Sequence, residues 1–201
     1  MTPQPLRVIK VGGSLLRHQP DAQAKDTIAA LKTWLGLQTP AANVLIAGGG
    51  EFGDVIRRAD AAHNLGEEAA HWLCVDALSV TAQLLGAVVG LPVVTRPEEL
   101  PQDIPTSCVF DPAPFFHDCE FRLFAAPLPH TWAVTSDSIA ARVAEYLSAR
   151  ELVLLKSCLP GAARTGYVDD YFPVAAANLS TVRCVNLRSA SFEQVSWESR
   201  S

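Results

Sequence analysis

The stretch Leu6-Arg7-Val8-Ile9-Lys10-Val11-Gly12-Gly13-Ser14 carries a short, β-branched apolar run straight into two glycines. The run predicts a strand, and the glycines predict a tight turn behind it. Two glycines after a strand let backbone N–H groups approach an anion closely, and Lys10 adds a compact positive charge suited to phosphate. The segment from Lys10 to Ser14 matches neither the Walker pattern nor the dinucleotide fingerprint. By itself it fits a phosphate loop and an ordinary turn with a solvated lysine equally well.

Three other places repeat the theme. Asn43 to Ala47 reads as a buried strand ending in Gly48-Gly49-Gly50, and a helix follows with Val55, Ile56, Ala59 and Ala62 on one face. A helix N-terminus behind side-chain-free backbone is a suitable cradle for a carboxylate or phosphate. Arg57 and Arg58, about two turns into that helix, either fold back onto an anionic acceptor or lie solvated. Thr131 to Thr135 reads as a strand leading to Ser136-Asp137-Ser138, with Ser136 capping a helix that turns Ile139, Ala140, Val143 and Leu147 inward. Asp137 is then a favourable charge at the helix start, or an anchor holding two lysines or a metal in register. Leu152 to Leu155 is a fully apolar strand ending at Lys156-Ser157. The chain has only four lysines, Lys10, Lys25, Lys32 and Lys156, and two of them end strands.

Between these landmarks the pattern alternates. Asp21 to Leu37 has a helical apolar period, a long apolar helix runs from about Ala69 to Leu91, and Pro92 to Thr95 reads as a strand. The proline-rich stretch from Arg96 to His130 predicts loops with short strands at Ser107 to Phe110 and Glu120 to Phe124. A short helix near Pro173 to Leu179 and a last strand at Val182 to Leu187 complete the chain. Strands alternating with helices predict one α/β domain over residues 1–201, a three-layer α/β/α sandwich with a mostly parallel sheet. In such sheets ligands bind at the carboxyl ends of the strands, where all four landmarks fall.

Composition narrows the function. With 201 residues, 49% of them hydrophobic, the chain suffices for one sizeable core. A net charge of −5 without a Lys/Arg run argues against nucleic acid and anionic membranes as partners. The five cysteines, Cys74, Cys108, Cys119, Cys158 and Cys184, are dispersed as in a reduced, cytoplasmic protein. Arg7 and Lys10 interrupt any signal-like apolar segment. The helix from Ala69 to Leu91 contains His71, Asp76, Ser79, Thr81 and Gln83, costly groups in lipid, and is therefore expected to be buried or to pair copies of the chain. Its apolar residues, Trp72, Leu73, Val75, Leu78, Val80, Leu84 and Leu85, spread over more than one face, which predicts a homo-oligomer. His117-Asp118-Cys119 has ligand types but no second cluster, so no metal centre is expected.

Lys10 to Ser14, Gly48 to Gly50, Asp137 with its helix, and the strand Leu152 to Lys156 together resemble the amino acid kinase superfamily, which includes acetylglutamate, aspartate, carbamate and uridylate kinases. The resemblance implies ATP as phosphate donor with Mg²⁺ bound to it, and a small acidic acceptor. It implies catalytic roles for Lys10, Asp137 and Lys156, with Asp137 orienting the lysines. Gly12, Gly13, Ser14, Ser157 and Gly166 would lie on the nucleotide, and Gly48, Gly49, Gly50, Arg57 and Arg58 on the acceptor. Larger kinases of the superfamily usually carry a further lysine near the C-terminus. No lysine follows Lys156 here, so Lys156 or Arg164 is expected to stand in. Gly48-Gly-Gly-Glu-Phe52, His71-Trp72 and Trp132 to Ser138 look most like a small branch found in methanogens and methylotrophs. Its characterised activity phosphorylates an aminomethylfuran methyl phosphate, a phosphomonoester, during one-carbon cofactor synthesis. Two other readings fit the same residues: an acyl-phosphate-forming kinase with a carboxylate acceptor, and a non-catalytic nucleotide- or oxyanion-binding protein.

Overall fold

A computed structural model describes residues 5–16, 22–100, 106–161 and 166–197. Its elements in chain order are β1 (Leu6–Val11), α1 (Ala22–Gly36), β2 (Ala42–Ala47), α2 (Gly50–His63), α3 (Glu67–Val89), β3 (Val93–Val94) and β4 (Ser107–Phe110). There follow α4 (Ala113–Phe115), a π-turn over Phe116–Glu120, α5 (Phe121–Leu123), α6 (Ser136–Tyr146), β5 (Glu151–Lys156), α7 (Phe172–Ala175), β6 (Val182–Asn186) and β7 (Gln194–Ser196).

The strands form one sheet in the order β3-β4-β2-β1-β5-β6-β7, parallel except for the antiparallel last pair. β1 is central, with β2 on one side and β5 on the other. Chain connections therefore diverge on either side of β1, and the crevice at its carboxyl end is the place such folds offer a ligand.

Burial follows the two-residue pleat. Ile9, Val11, Leu45, Val109, Val153 and Leu155 face a core completed by Leu31 and Trp34 of α1. Val8, Val44, Ile46, Leu152, Leu154 and Cys184 face the other core, against Ile139, Ala140 and Val143 of α6. Helices on both faces make the three-layer sandwich that the sequence pattern predicts. Lys10 and Lys156 share parity with the second set, so the pleat delivers both to the α6 face.

α3 adds Val75 and Leu78 to one core and Ala82, Leu85 and Val89 to the other. By length and composition α3 is apolar enough to cross a membrane. In the fold it is a packed helix, with Leu73, Val80 and Val88 left exposed.

Two expected strands are absent. Thr131 to Thr135 is a turn, closed by the Val134 N–H on the Thr131 carbonyl at 3.1 Å and pinned by the Tyr171 N–H on Ala133 at 3.1 Å. Glu120 to Leu123 is helical, and Phe124 is the extended residue that ends it. Its buried Glu120 carboxylate meets the Arg142 guanidinium at 3.2 Å and the Leu128 N–H at 2.9 Å, a tertiary demand that overrides the β-propensity of the aromatic residues. The edge strand β7 has no sequence counterpart among the expected elements, because all its residues are exposed.

Candidate active site

Lys10 is the penultimate residue of β1 and Lys156 the last of β5, while Asp137 occupies the first turn of α6. The Lys10 ammonium lies 2.7 Å from Asp137 Oδ1 and the Lys156 ammonium 2.8 Å from Oδ2. One carboxylate thus holds both lysines, and all three residues are largely buried. Burial alone would raise the Asp137 carboxyl, but the two ammonium charges outweigh it and hold the group below its usual value. Burial and the nearby Lys10 charge pull the Lys156 ammonium down, against the opposing pull of Asp137 and Asp169. Lys156 also donates to the Tyr167 carbonyl and lies 4.7 Å from the centre of the Tyr167 ring.

Asp169 is the residue the sequence pattern does not single out. Its Oδ2 accepts the backbone N–H groups of Thr135 at 2.9 Å and Ser138 at 3.0 Å, together with the Thr135 hydroxyl at 2.8 Å. Its Oδ1 accepts the Ser138 hydroxyl. The cap of α6 is therefore supplied from a distant loop, and Ser136, expected to be the cap, is the first helical residue instead. This fixes the turn that carries Asp137. Burial raises the Asp169 carboxyl, and the neighbouring Asp137 charge works in the same direction.

The glycines bring the loops after β1 and β2 into backbone contact. A Cβ on Gly13 would stand 2.5 Å from the Gly50 nitrogen, and one on Gly48 would stand 2.7 Å from the Gly13 nitrogen. Gly50 adopts φ +53, a conformation that suits glycine. Gly12 donates its N–H to the Leu155 carbonyl at 2.8 Å, tying the first loop to β5 as well. Ser14 and Ser157 meet here, their hydroxyls 3.4 Å apart. Gly166 has φ +70, and a Cβ built on it would meet none of the described residues within 4 Å, while Arg164 lies outside the described residues.

Beside this centre is a cavity of about 200 Å³. Gly49, Gly50 and Arg57 line it from α2 and the preceding loop, His71, Cys74 and Leu78 from α3, and Trp132 from the 131–134 turn. Arg57 lies over the Trp132 ring, 4.8 Å from its centre, with Asp54 at 3.7 Å. Arg58 is exposed and is not part of this lining. His71 is buried, and its imidazole is pushed down to about 4 by burial and by the charge of His130, which stacks on it at 4.9 Å. Among the described residues no group of three or more His, Cys, Asp or Glu is placed to hold a metal ion.

The architecture is that of the amino acid kinase fold. The UMP kinase of Ureaplasma parvum superposes with a TM-score of 0.57 over 92% of this chain and 91% of its own, at 13% identity. The UMP kinase of Bacillus anthracis superposes at 0.58 over 94% and 89%, at 11% identity. In sequence, the chain is 26% identical over 149 residues to the [5-(aminomethyl)furan-3-yl]methyl phosphate kinase of Methanocaldococcus jannaschii. That alignment covers 74% of this chain and 64% of the relative, so the chain spans less than two thirds of the relative's length. No family model matches. The sequence relative and the structural neighbours alike are kinases.

Proposed function

We propose that this chain is an ATP-dependent kinase that transfers the γ-phosphate to a small phosphomonoester of the aminomethylfuran methyl phosphate class. The observation that carries this reading is the pair of buried ammonium groups on one carboxylate, beside loops stripped of side chains. Asp137 is shared by the two ammonium groups, one oxygen to each, so neither lysine has a carboxylate of its own and both can meet an incoming anion. A transferring phosphoryl group supplies that anion, and phosphoryl transfer asks a protein chiefly for such positioning and neutralisation.

In this mechanism Lys10 and Lys156 bear on the phosphate oxygens as negative charge shifts from donor to product. Asp137 keeps both ammonium groups aimed, and Asp169 keeps Asp137 in place through the α6 cap. Gly12, Gly13, Ser14 and Ser157 border the nucleotide side, Gly166 lies in the loop that follows, and Gly48, Gly49 and Gly50 border the acceptor side. Arg57 is the cation for the acceptor's own phosphate, and exposed Arg58 adds at most long-range attraction. Mg²⁺ would come bound to the phosphates of ATP and would shield their charge; among the described residues no carboxylate cluster is placed to hold it. Copies of the chain associate as a homo-oligomer through the apolar residues of α3, and the reaction is cytoplasmic.

ADP release by the purified chain with Mg²⁺-ATP tests the reading, using [5-(aminomethyl)furan-3-yl]methyl phosphate, UMP, acetylglutamate and carbamate as acceptors. Turnover is expected with the furan phosphate. Release with acetylglutamate alone would favour a carboxylate acceptor, and no release with any would leave a binding protein.

A further inference from the structure

The acceptor cleft has one wall of unusual construction. Trp132 donates its indole N–H to Asp60 Oδ2 at 2.8 Å, and Asp60 Oδ1 accepts the Gly66 N–H at 3.0 Å. One carboxylate thus fastens the indole to the α2–α3 turn. Arg57, one helical turn before Asp60, covers the ring at 4.8 Å. The backbone beneath Trp132 is fixed as well, by the turn bonds at Val134 and Tyr171. A large aromatic side chain held at its edge, its face and its backbone cannot swing away when a ligand enters. Apolar groups also line the cleft, Val75 and Leu78 of α3 and Ile139 of α6.

The size of the space adds to this. About 200 Å³ is below the range of roughly 300–1,000 Å³ that holds drug-sized ligands. A space of this size suits one small ring with a short phosphate arm better than a base, ribose and phosphate together.

We propose that Trp132 is the specificity-determining wall of the acceptor cleft, selecting phosphomonoesters built on a single flat ring, and that Asp60 is the positioning residue that holds it. The inference rests on the reading of this cleft as the acceptor site and goes on to name the feature of the acceptor that is read. The indole gives the ring a rigid apolar wall, and Arg57, stacked on the indole, gives the phosphate a charge.

Two acceptors separate ring recognition from recognition of charge: the furan phosphate above, and 4-aminobutyl phosphate, which keeps the amine and phosphate but has no ring. Trp132→Ala is expected to raise KM for the furan phosphate about tenfold, the scale of one aromatic contact, with kcat within about twofold. KM for aminobutyl phosphate, which presents no ring to the indole, should rise far less. Trp132→Phe keeps a ring and should restore most of the difference. Asp60→Asn cannot accept both N–H groups, and should give an intermediate loss confined to the ring-bearing acceptor. Equal KM changes for the two acceptors, or UMP preferred by the unaltered chain, would overturn the proposal. Calorimetric binding of the furan phosphate makes the same comparison without turnover. Binding weakened about tenfold in Trp132→Ala by a chain that never releases ADP would sustain the wall and refute the kinase. Unchanged affinity in that variant would refute the wall alone, and no binding by the unaltered chain would refute both.

Discussion

Lys10 and Asp137 form a buried ion pair at 2.7 Å, with 5% and 6% of their side chains exposed, although they come from the central strand and from a helix late in the chain. Such a pair is only as good as its completeness, because removing one partner leaves the other charged and desolvated. With Lys156 on the second oxygen, the carboxylate lies between two cations and offsets their mutual repulsion.

Asp137→Asn should therefore cost about 3–5 kcal/mol of stability, the range for a broken buried ion pair, and abolish ADP release. Urea unfolding and the coupled assay check both. A variant of unaltered midpoint would show that the lysines do not depend on this carboxylate.

Acid should act through the same group. The Asp137 pKa is lower folded than unfolded, so its ionisation contributes stability above the unfolded value of 3.8. That contribution is lost as pH falls below 3.8 and through the folded value. Urea midpoints between pH 5 and 2 should show a fall that is absent in Asp137→Asn.

His71 acts at milder acidity. Its imidazole titrates near 4 folded and at 6.5 unfolded, so the unfolded chain takes up the proton first. Stability should drop as pH falls from 6.5 towards 4. His71→Gln, with no proton to gain, should flatten that part of the profile. An unchanged slope would place the titration elsewhere.

Gly13→Ala should destabilise by about 1–3 kcal/mol, the cost of forcing atoms into a filled space, because its Cβ would meet Gly50 backbone at 2.5 Å. Gly53 lies inside α2 with nothing within 4 Å of its would-be Cβ, so Gly53→Ala should gain about 0.5–1 kcal/mol of helix propensity. Thermal unfolding of the two variants should move in opposite directions.

Val80 is half exposed on α3, in line with exposed Leu73 and Val88. If copies of the chain pair there, Val80→Glu buries a charge at the interface. Sedimentation should then report a monomer where the unaltered chain is an oligomer. A monomer in both would refute pairing through α3.

Much of this was legible in the residues themselves. β2 and β5 each hold a four-residue apolar run, Val44 to Ala47 and Leu152 to Leu155, and a run buried on both faces announces a strand without help from its surroundings. The scarcity of lysine pointed to Lys10 and Lys156, and the pleat turned that hint into a shared face. Asp169 stayed hidden because its partners, Thr135 and Ser138, are brought to it only by the docking of its loop on α6. Trp132 stood within a segment whose local preference is extended, and the Tyr171 and Asp60 bonds that make it a turn and a wall are equally long-range.

The contact between Gly13 and Gly50 carries one more consequence. Two loops that touch through bare backbone have no side chains whose rotamers can absorb a displacement. A shift of the segment after β1 is handed directly to the start of α2, and so to Arg57. Loading one side of the crevice would thus be felt on the other as a mechanical linkage, a hinge without slack.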